Sequence, residues 1–319
     1  MNVGLFTDAL SHRTLADVLT WCGEREIAAV ELGVGGYSSA PHADLSNLLV
    51  ERSARNELIR ATADAGVTVA ALNVSGNPIH PDERVAAKDD SALRGAVELA
   101  ELLGVSRVVA MSGCPGGPGG GGWPIFAGGA WLPDMVGLWE WQLTERIEPY
   151  WRAFSGWAAE MGPNVSICLE LHPGTSIYNA ESYHRLRQVT GPNILVNLDP
   201  SHFWWQGIDP LQAIDDLAGS IGYAHGKDTL LLPKNIARHG VLDFRWPSAA
   251  GGTPWHFAAV GTAHSAEEWR QLLDALRRAG YDDVVSIEHE DPRYEPEAGI
   301  DASVEGLLAA MAPELPAAA

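Results

Sequence analysis

The chain is poor in positive charge, in lysine and in cysteine. Its 319 residues hold 41 acidic and 21 basic side chains, a formal net charge of −20. Duplex nucleic acid and anionic membrane are both bound through basic surfaces, so this balance argues against either partner. The only lysines are Lys88, Lys227 and Lys234. The three cysteines, Cys22, Cys114 and Cys168, are odd in number and far apart, which fits a reducing compartment better than a disulfide framework. No apolar run approaches the roughly 18 residues of a membrane span. The opening MNVGLFTDALSHR lacks a basic stretch ahead of its short apolar run and does not resemble a signal peptide. A cytoplasmic, soluble protein is expected. Apolar residues are plentiful at 46%, enough for a sizeable core. The length would allow two average domains, but α/β barrels of this size are routinely single, so one domain over 1–319 is expected.

Short apolar runs alternate with longer stretches of helical periodicity. Eight strands are predicted at Val3–Thr7, Ile27–Leu32, Val67–Val74, Arg107–Met111, Ser166–Leu171, Ile194–Leu198, Ile221–Ala224 and Val284–Ile287. Amphipathic segments lie between them, at Thr14–Arg25, Glu51–Ala65, Asp82–Leu103, Glu140–Met161, Ala180–Val189, Pro210–Leu217 and Ala266–Ala279. Gly66, Gly104, Gly162 and Gly280 are expected to close helices in the left-handed conformation. Strands such as VTVAALNV are apolar on both faces, as in a parallel sheet covered by helices. Eight such units predict a (β/α)8 TIM barrel. The alternative, an open doubly wound sheet, would place G-x-G-x-x-G after the first strand, where GLFTDALSH stands. Long loops follow the fourth and seventh strands, at residues 113–134 and 229–262. The first is glycine-rich but lacks the Lys-Ser/Thr of a phosphate loop, so a lid or packing loop is expected there.

Polar residues interrupt the apolar pattern where the last four strands end. They are Glu170 in ICLELHPG, Asp199 in ILVNLDPSH, His225 in GYAHGKD and Glu288 in VSIEHED. In a barrel these ends converge at one rim. Three buried carboxylates there would repel one another without a counter-charge, and a divalent cation supplies it. The set is hard and oxygen-rich, suiting Mn²⁺ first, with Mg²⁺, Co²⁺ or Zn²⁺ as alternatives. Separate salt bridges on barrel loops are the competing explanation.

These motifs, together with GLFTDAL, AAVELG and LNVSGNPIHPD, make the chain similar to the sugar isomerase/epimerase superfamily of xylose isomerase-like barrels, which includes the type 2 apurinic endonucleases. Among its members the resemblance is to ketose 3-epimerases, inosose dehydratases and C-glycoside deglycosidase large subunits. It implies one divalent metal held by Glu170, Asp199, His225 and Glu288, a substrate contact from His202, and acid and base roles for Glu170 and Glu288. His172, two residues beyond Glu170, is a further candidate acid or base. Lys227 and Asp228 are candidates for holding substrate or orienting His225. Glu31 and His80 are candidates for binding sugar hydroxyls. Trp123, Trp131, Trp139, Trp141, Phe203, Trp204, Trp205, Trp246 and Trp255 offer ring faces for a sugar or aryl group, or for packing.

The expected reaction is isomerisation or epimerisation, with proton abstraction beside a keto-sugar carbonyl and a metal-stabilised enediolate. A lyase using the same enolisation, on an inosose-type substrate or a 3-keto C-glycoside, is the alternative. An apurinic endonuclease would need histidines where Asn73 and Ser112 stand. A non-catalytic sugar-binding barrel would leave the four rim residues without work. Expected partners are a small sugar or keto-glycoside substrate and further copies of the chain, with a small second subunit if the enzyme is a C-glycoside deglycosidase.

Overall fold

The computed structural model of the chain describes residues 1–128, 132–133, 135–243 and 252–312. Eight parallel strands close into a barrel: β1 (Asn2–Phe6), β2 (Ala29–Gly33), β3 (Thr68–Asn73), β4 (Arg107–Met111), β5 (Ser166–Glu170), β6 (Ile194–Leu198), β7 (Ile221–Gly226) and β10 (Val284–Ile287), which pairs back onto β1. They are the eight predicted strands, with bounds moved by no more than two residues. Apart from strand ends such as Asn2 and Thr68 they are largely buried, because helices cover the outside and side chains fill the inside. Ala29, Ala71, Val109, Cys168, Tyr223 and Val284, each from a different strand, form an apolar cluster within the barrel. At its N-terminal end Arg107 donates to Asp283 at 2.6 Å and to the Gly222 carbonyl at 2.7 Å, tying β4 to the starts of β7 and β10.

The larger core lies between strands and helices. Helix α11 (Ala266–Arg278) illustrates how it forms. Ser265 and Glu268 make a capping box at its start, and Trp269, Leu272, Leu273 and Leu276 recur at helical spacing on the buried face. Each such leucine contributes about 1.5–3 kcal/mol by burial. The other predicted helices appear as α1 (Leu15–Gly23), α3 (Arg52–Asp64), α4 (Glu83–Leu103), α7 (Ala180–Arg187) and α9 (Pro210–Asp216). The segment predicted at Glu140–Met161 is α5 (Leu138–Gln142), a π-helical turn (Leu143–Ile147) and α6 (Glu148–Met161). Additional helices are α2 (Leu45–Val50), α8 (Ser201–Trp204), α10 (Pro233–His239) and α12 (Pro296–Met311). Among the described residues no helix is long and apolar enough to cross a membrane.

Gly104 closes α4 at φ +71°, as expected. Gly162 does not, at φ −134°. A Cβ there would stand 2.9 Å from Val97 of α4, so close helix packing rather than a left-handed turn calls for glycine. The segment 229–262 is not simply a loop. Strands β8 (Asp228–Leu231) and β9 (Trp255–Ala258) pair antiparallel within it, above the barrel. The glycine-rich segment is anchored at its start and middle: Asn77 exchanges hydrogen bonds with Cys114, and Gln142 donates to the carbonyls of Pro115, Gly116 and Ile125.

Candidate metal centre

Glu170 is the last residue of β5, Asp199 follows β6, His225 is the penultimate residue of β7 and Glu288 follows β10. One ligand atom from each lies within 4.8 Å of the others. Ligands about 2.0–2.2 Å from one ion are at most about 4.4 Å apart, so a small contraction would close this set on a cation. His225 Nδ1 lies 3.1 Å from Glu288 Oε2, 3.8 Å from Glu170 Oε2 and 3.9 Å from Asp199 Oδ2. His225 Nδ1 and Asp199 Oδ2, both buried, make no well-formed hydrogen bond and have only ion-pair neighbours, the nearest being Glu288 and Lys227 respectively. Buried polar atoms short of hydrogen bonds are costly. Two of them, converging on a hard donor set, fit a divalent ion.

The opposite edge of the His225 ring is fixed. Its Nε2 lies 3.2 Å from Glu31 Oε2 and 3.3 Å from Oε1, and the buried Glu31 also accepts from Asn73 Nδ2 and Ser286 Oγ, each at 2.8 Å. With Nε2 donating to a carboxylate, Nδ1 presents its lone pair to the cluster. Glu31 therefore serves the histidine from inside the barrel and is shut off from the expected sugar contact.

Lys227 Nζ stands 2.5 Å from Glu288 Oε2, 3.0 Å from Glu290 Oε2 and 3.1 Å from Asp199 Oδ2. It works within the cluster. Burial disfavours its charge, but these carboxylates outweigh burial and hold its pKa well above the ordinary lysine value. Burial likewise opposes the charge on Asp199 and Glu288, but Lys227 together with His202 and His225 at Asp199, and with His225 at Glu288, outweighs it and lowers each carboxyl. Glu170 differs: burial, with Glu288 adding repulsion, pushes its pKa up to about 7. His225 is raised well above its usual range because Glu31 and Glu288 overcome burial.

After Asp199, the Ser201 amide donates back to Asp199 Oδ1 at 2.9 Å and the chain turns into α8. This brings His202 over β5, where its Nε2 lies 2.8 Å from Glu170 Oε1. His202 thus meets the cluster through Glu170. His172 does not: its Nδ1 is 2.5 Å from the Pro173 carbonyl, and its ring packs 4.1 Å from that of His202. Burial, then His202, lowers its pKa to about 4.

Asp228 and His80, candidates for substrate contacts, have local partners. The Asp228 carboxylate, fully buried, accepts from the amides of Thr229, Gly261, Ala263 and His264 and from the side chains of His264 and Trp269. It locks β8 to the approach of α11. His80 Nδ1 accepts from the Asp82 amide ahead of α4.

A cavity of about 370 Å³ opens beside the cluster, lined by Glu170 and Glu288 together with Asp8, Asn73, Ser75 and Glu290 among others. No lysine or arginine is among its described lining residues. Sequence reasoning missed Asp8 and Glu290; the signal available was a charged residue just beyond a strand end. Asp8 Oδ1 is buried without a hydrogen-bond partner, and burial raises its pKa. A second cavity of about 210 Å³ is lined by His172, His202, Trp205, Leu242, Trp255 and Phe257, with Pro173 and Val241. The other aromatics divide. Trp204 stacks on His264, Trp139 packs on the core and Trp123 is exposed, while Trp131 and Trp246 lie outside the described residues.

A closed eight-stranded barrel whose C-terminal rim carries three carboxylates and an imidazole defines a TIM barrel with a candidate metal site. The chain belongs to the xylose isomerase-like TIM barrel family, whose model matches residues 27–310. It is 35% identical over 310 residues to the uncharacterized protein YfiH of Bacillus subtilis (strain 168), covering 96% of this chain and 98% of that protein. Over 82 residues, 25% of this chain and 27% of that protein, it is 35% identical to inosose dehydratase of Geobacillus kaustophilus (strain HTA426). Solved structures share the fold. IolI with a bound zinc atom aligns at TM-score 0.65 and 20% identity, covering 97% of this chain and 98% of that one. D-psicose 3-epimerase aligns at TM-score 0.58 and 13% identity, covering 97% of each chain.

Proposed function

We propose that the protein is a divalent-metal-dependent sugar isomerase or epimerase that removes a proton beside the carbonyl of an uncharged keto-sugar. The observation that carries this reading is the pair Glu170 and Glu288, two carboxylates in different environments that line one cavity at the candidate metal centre. Glu170, Asp199, His225 and Glu288 would hold the ion, with Mn²⁺ the first choice for so oxygen-rich a set and Zn²⁺ supported by the zinc in IolI. When bound, the cation polarises the carbonyl and offsets negative charge developing on oxygen.

Glu288, held ionised by Lys227 and His225, is the base; among the described residues its Oε1 makes no hydrogen bond. Glu170 is the acid that returns a proton to the substrate; burial and Glu288 raise its pKa to about 7, so of the two carboxyls it is the readier to carry a proton during turnover. Its Oε1 is steadied by His202. Lys227 positions Glu288 and Asp199. Asp8, Asn73 and Ser75 offer hydroxyl partners, and the lack of a cationic side chain in the lining favours a free sugar over a sugar phosphate.

A lyase reading is supported by the match to inosose dehydratase and by the fold shared with the probable 3-DHS dehydratase AsbF of Bacillus anthracis, at TM-score 0.65 and 16% identity over 97% of this chain and 99% of that one. Incubation of metal-loaded protein with keto-sugars in D₂O separates the two. Deuterium beside the carbonyl with all substituents retained is the expected result. Release of water or an aglycone would establish the lyase, and exchange that survives metal removal by chelator would overturn both.

A further inference from the structure

The second cavity has a composition unlike the first. Its walls are mainly apolar, with the Trp205 and Trp255 rings stacked 4.6 Å apart at 9°. It lies one side chain away from the metal centre: His202 lines it and meets Glu170, and Phe257 lines it beneath Lys227, whose Nζ is 4.5 Å from the ring centroid. Among the described residues that line it, two buried polar atoms have no hydrogen-bond partner. One is Nδ1 of His202, a residue only 1% exposed, and the other is Trp205 Nε1. Trp255 Nε1, by contrast, donates to the Val241 carbonyl at 3.0 Å.

The chemistry of these two atoms is complementary. With Nε2 of His202 donating to the Glu170 carboxylate, Nδ1 of the neutral ring is an acceptor; an indole Nε1–H only donates. A hydroxyl group can donate to the first or accept from the second. A sugar ring would fit poorly, because most of its hydroxyls would face Leu242, Phe257 and tryptophan without partners. Ordered water needs two to four polar neighbours, and the wall offers few. An apolar cavity of about 150 Å³ takes up one benzene ring. The 210 Å³ here has room for a ring with a substituent.

We propose that this cavity is a subsite for a flat hydroxyaryl group, with Trp205 as donor to its oxygen and His202 Nδ1 as acceptor of its proton. The ring is either a substituent of the substrate or a separate small phenol. Only the first case rests on the enolising function proposed above, where it would make the substrate an aryl-bearing keto-sugar.

Phenol is the probe, titrated into the full chain while the indole N–H resonances are followed by NMR, with toluene and cyclohexanol as controls. The Trp205→Phe variant identifies the Trp205 signal and removes the donor while keeping a ring in the stack. Phenol should shift that signal and bind better than either control, and Trp205→Phe should weaken phenol about fivefold, the size of one neutral hydrogen bond, without weakening toluene. An unshifted Trp205 signal at saturating phenol, or equal phenol binding by the variant, would overturn the subsite whatever reaction the enzyme performs. Deuterium exchange then locates the ring. An aryl keto-glycoside exchanging faster than its methyl counterpart makes it part of the substrate, and equal rates with phenol still bound make it a separate ligand. Absence of exchange with phenol bound would count against the enolising function alone.

Discussion

Strands β1 to β4 and strands β5, β6, β7 and β10 are built alike, buried and parallel around one core, yet their C-terminal ends differ in chemistry. The second half ends in Glu170, Asp199, His225 and Glu288, whose ligand atoms converge. The first half holds its charge at Glu31, which is sealed inside the barrel and spends both oxygens on His225, Asn73 and Ser286. Beyond that, it contributes the cavity wall through Asp8, Asn73 and Ser75. One half supplies donors to an ion, and the other aims one of those donors and shapes the space in front. A carboxylate at a barrel rim therefore does not declare its role by position alone; its partners do.

The division is tested most severely at Asp199. Asp199→Asn should abolish metal retention after gel filtration and lower exchange activity by at least about a thousandfold, as expected when an ion that stabilises the transition state is lost. A variant that keeps both its metal and its turnover would erase the distinction between the halves. Glu31→Gln, in the other half, should leave the fold intact and weaken metal affinity about 10–100-fold, the range for partners that orient a ligating histidine. Equilibrium competition with a chromophoric chelator measures it, and unchanged affinity would return Glu31 to a purely structural part.

Metal affinity should also fall on acidification. Burial and Glu288 raise the Glu170 pKa to about 7, and Glu31 and Glu288 raise that of His225 further against burial, so both groups bind protons more readily than usual. The ion needs them deprotonated, so affinity should drop by about tenfold or more per pH unit below neutrality and level off at higher pH. Proton release measured calorimetrically in buffers of different ionisation enthalpy checks this, and its absence would mean that the ligands bind already deprotonated. The smallest effect is expected at Asp8. Asp8→Asn should raise KM a few-fold, by about one hydrogen bond to a sugar hydroxyl, with kcat and bound metal little changed. A collapse of kcat would move Asp8 from the wall into the chemistry.

Much of this was legible in the sequence, for definite reasons. Strands buried on both faces announce themselves as apolar runs, and a polar residue at the end of such a run stands out. All four members of the cluster carry that signal. Glu31 was visible by the same signal but its role was not, because the bonds to His225 and Ser286 span 194 and 255 positions. Asp228 reads as a catalytic-loop residue in HGKD, yet it binds backbone amides from Gly261 to His264, which no local pattern encodes. Helix α12 escaped because its AGIDASVEGLLAAM composition has a weak amphipathic signal.

The π-helical turn Leu143–Ile147 sets the phase of the helix that contains it. A π turn adds one residue to an α-helical repeat, which rotates everything on one side by about 100° relative to the other. Upstream of it stands Gln142, whose amide clasps three carbonyls of the glycine-rich segment; downstream, Trp151 and Phe154 are fixed in the core. The extra residue lets both ends meet their targets at once. Removing one residue from the turn would relax it to a regular helix and swing Gln142 off the segment it holds. The length of this helix thus decides whether Gln142 meets the segment that follows β4, a placement set by a residue count.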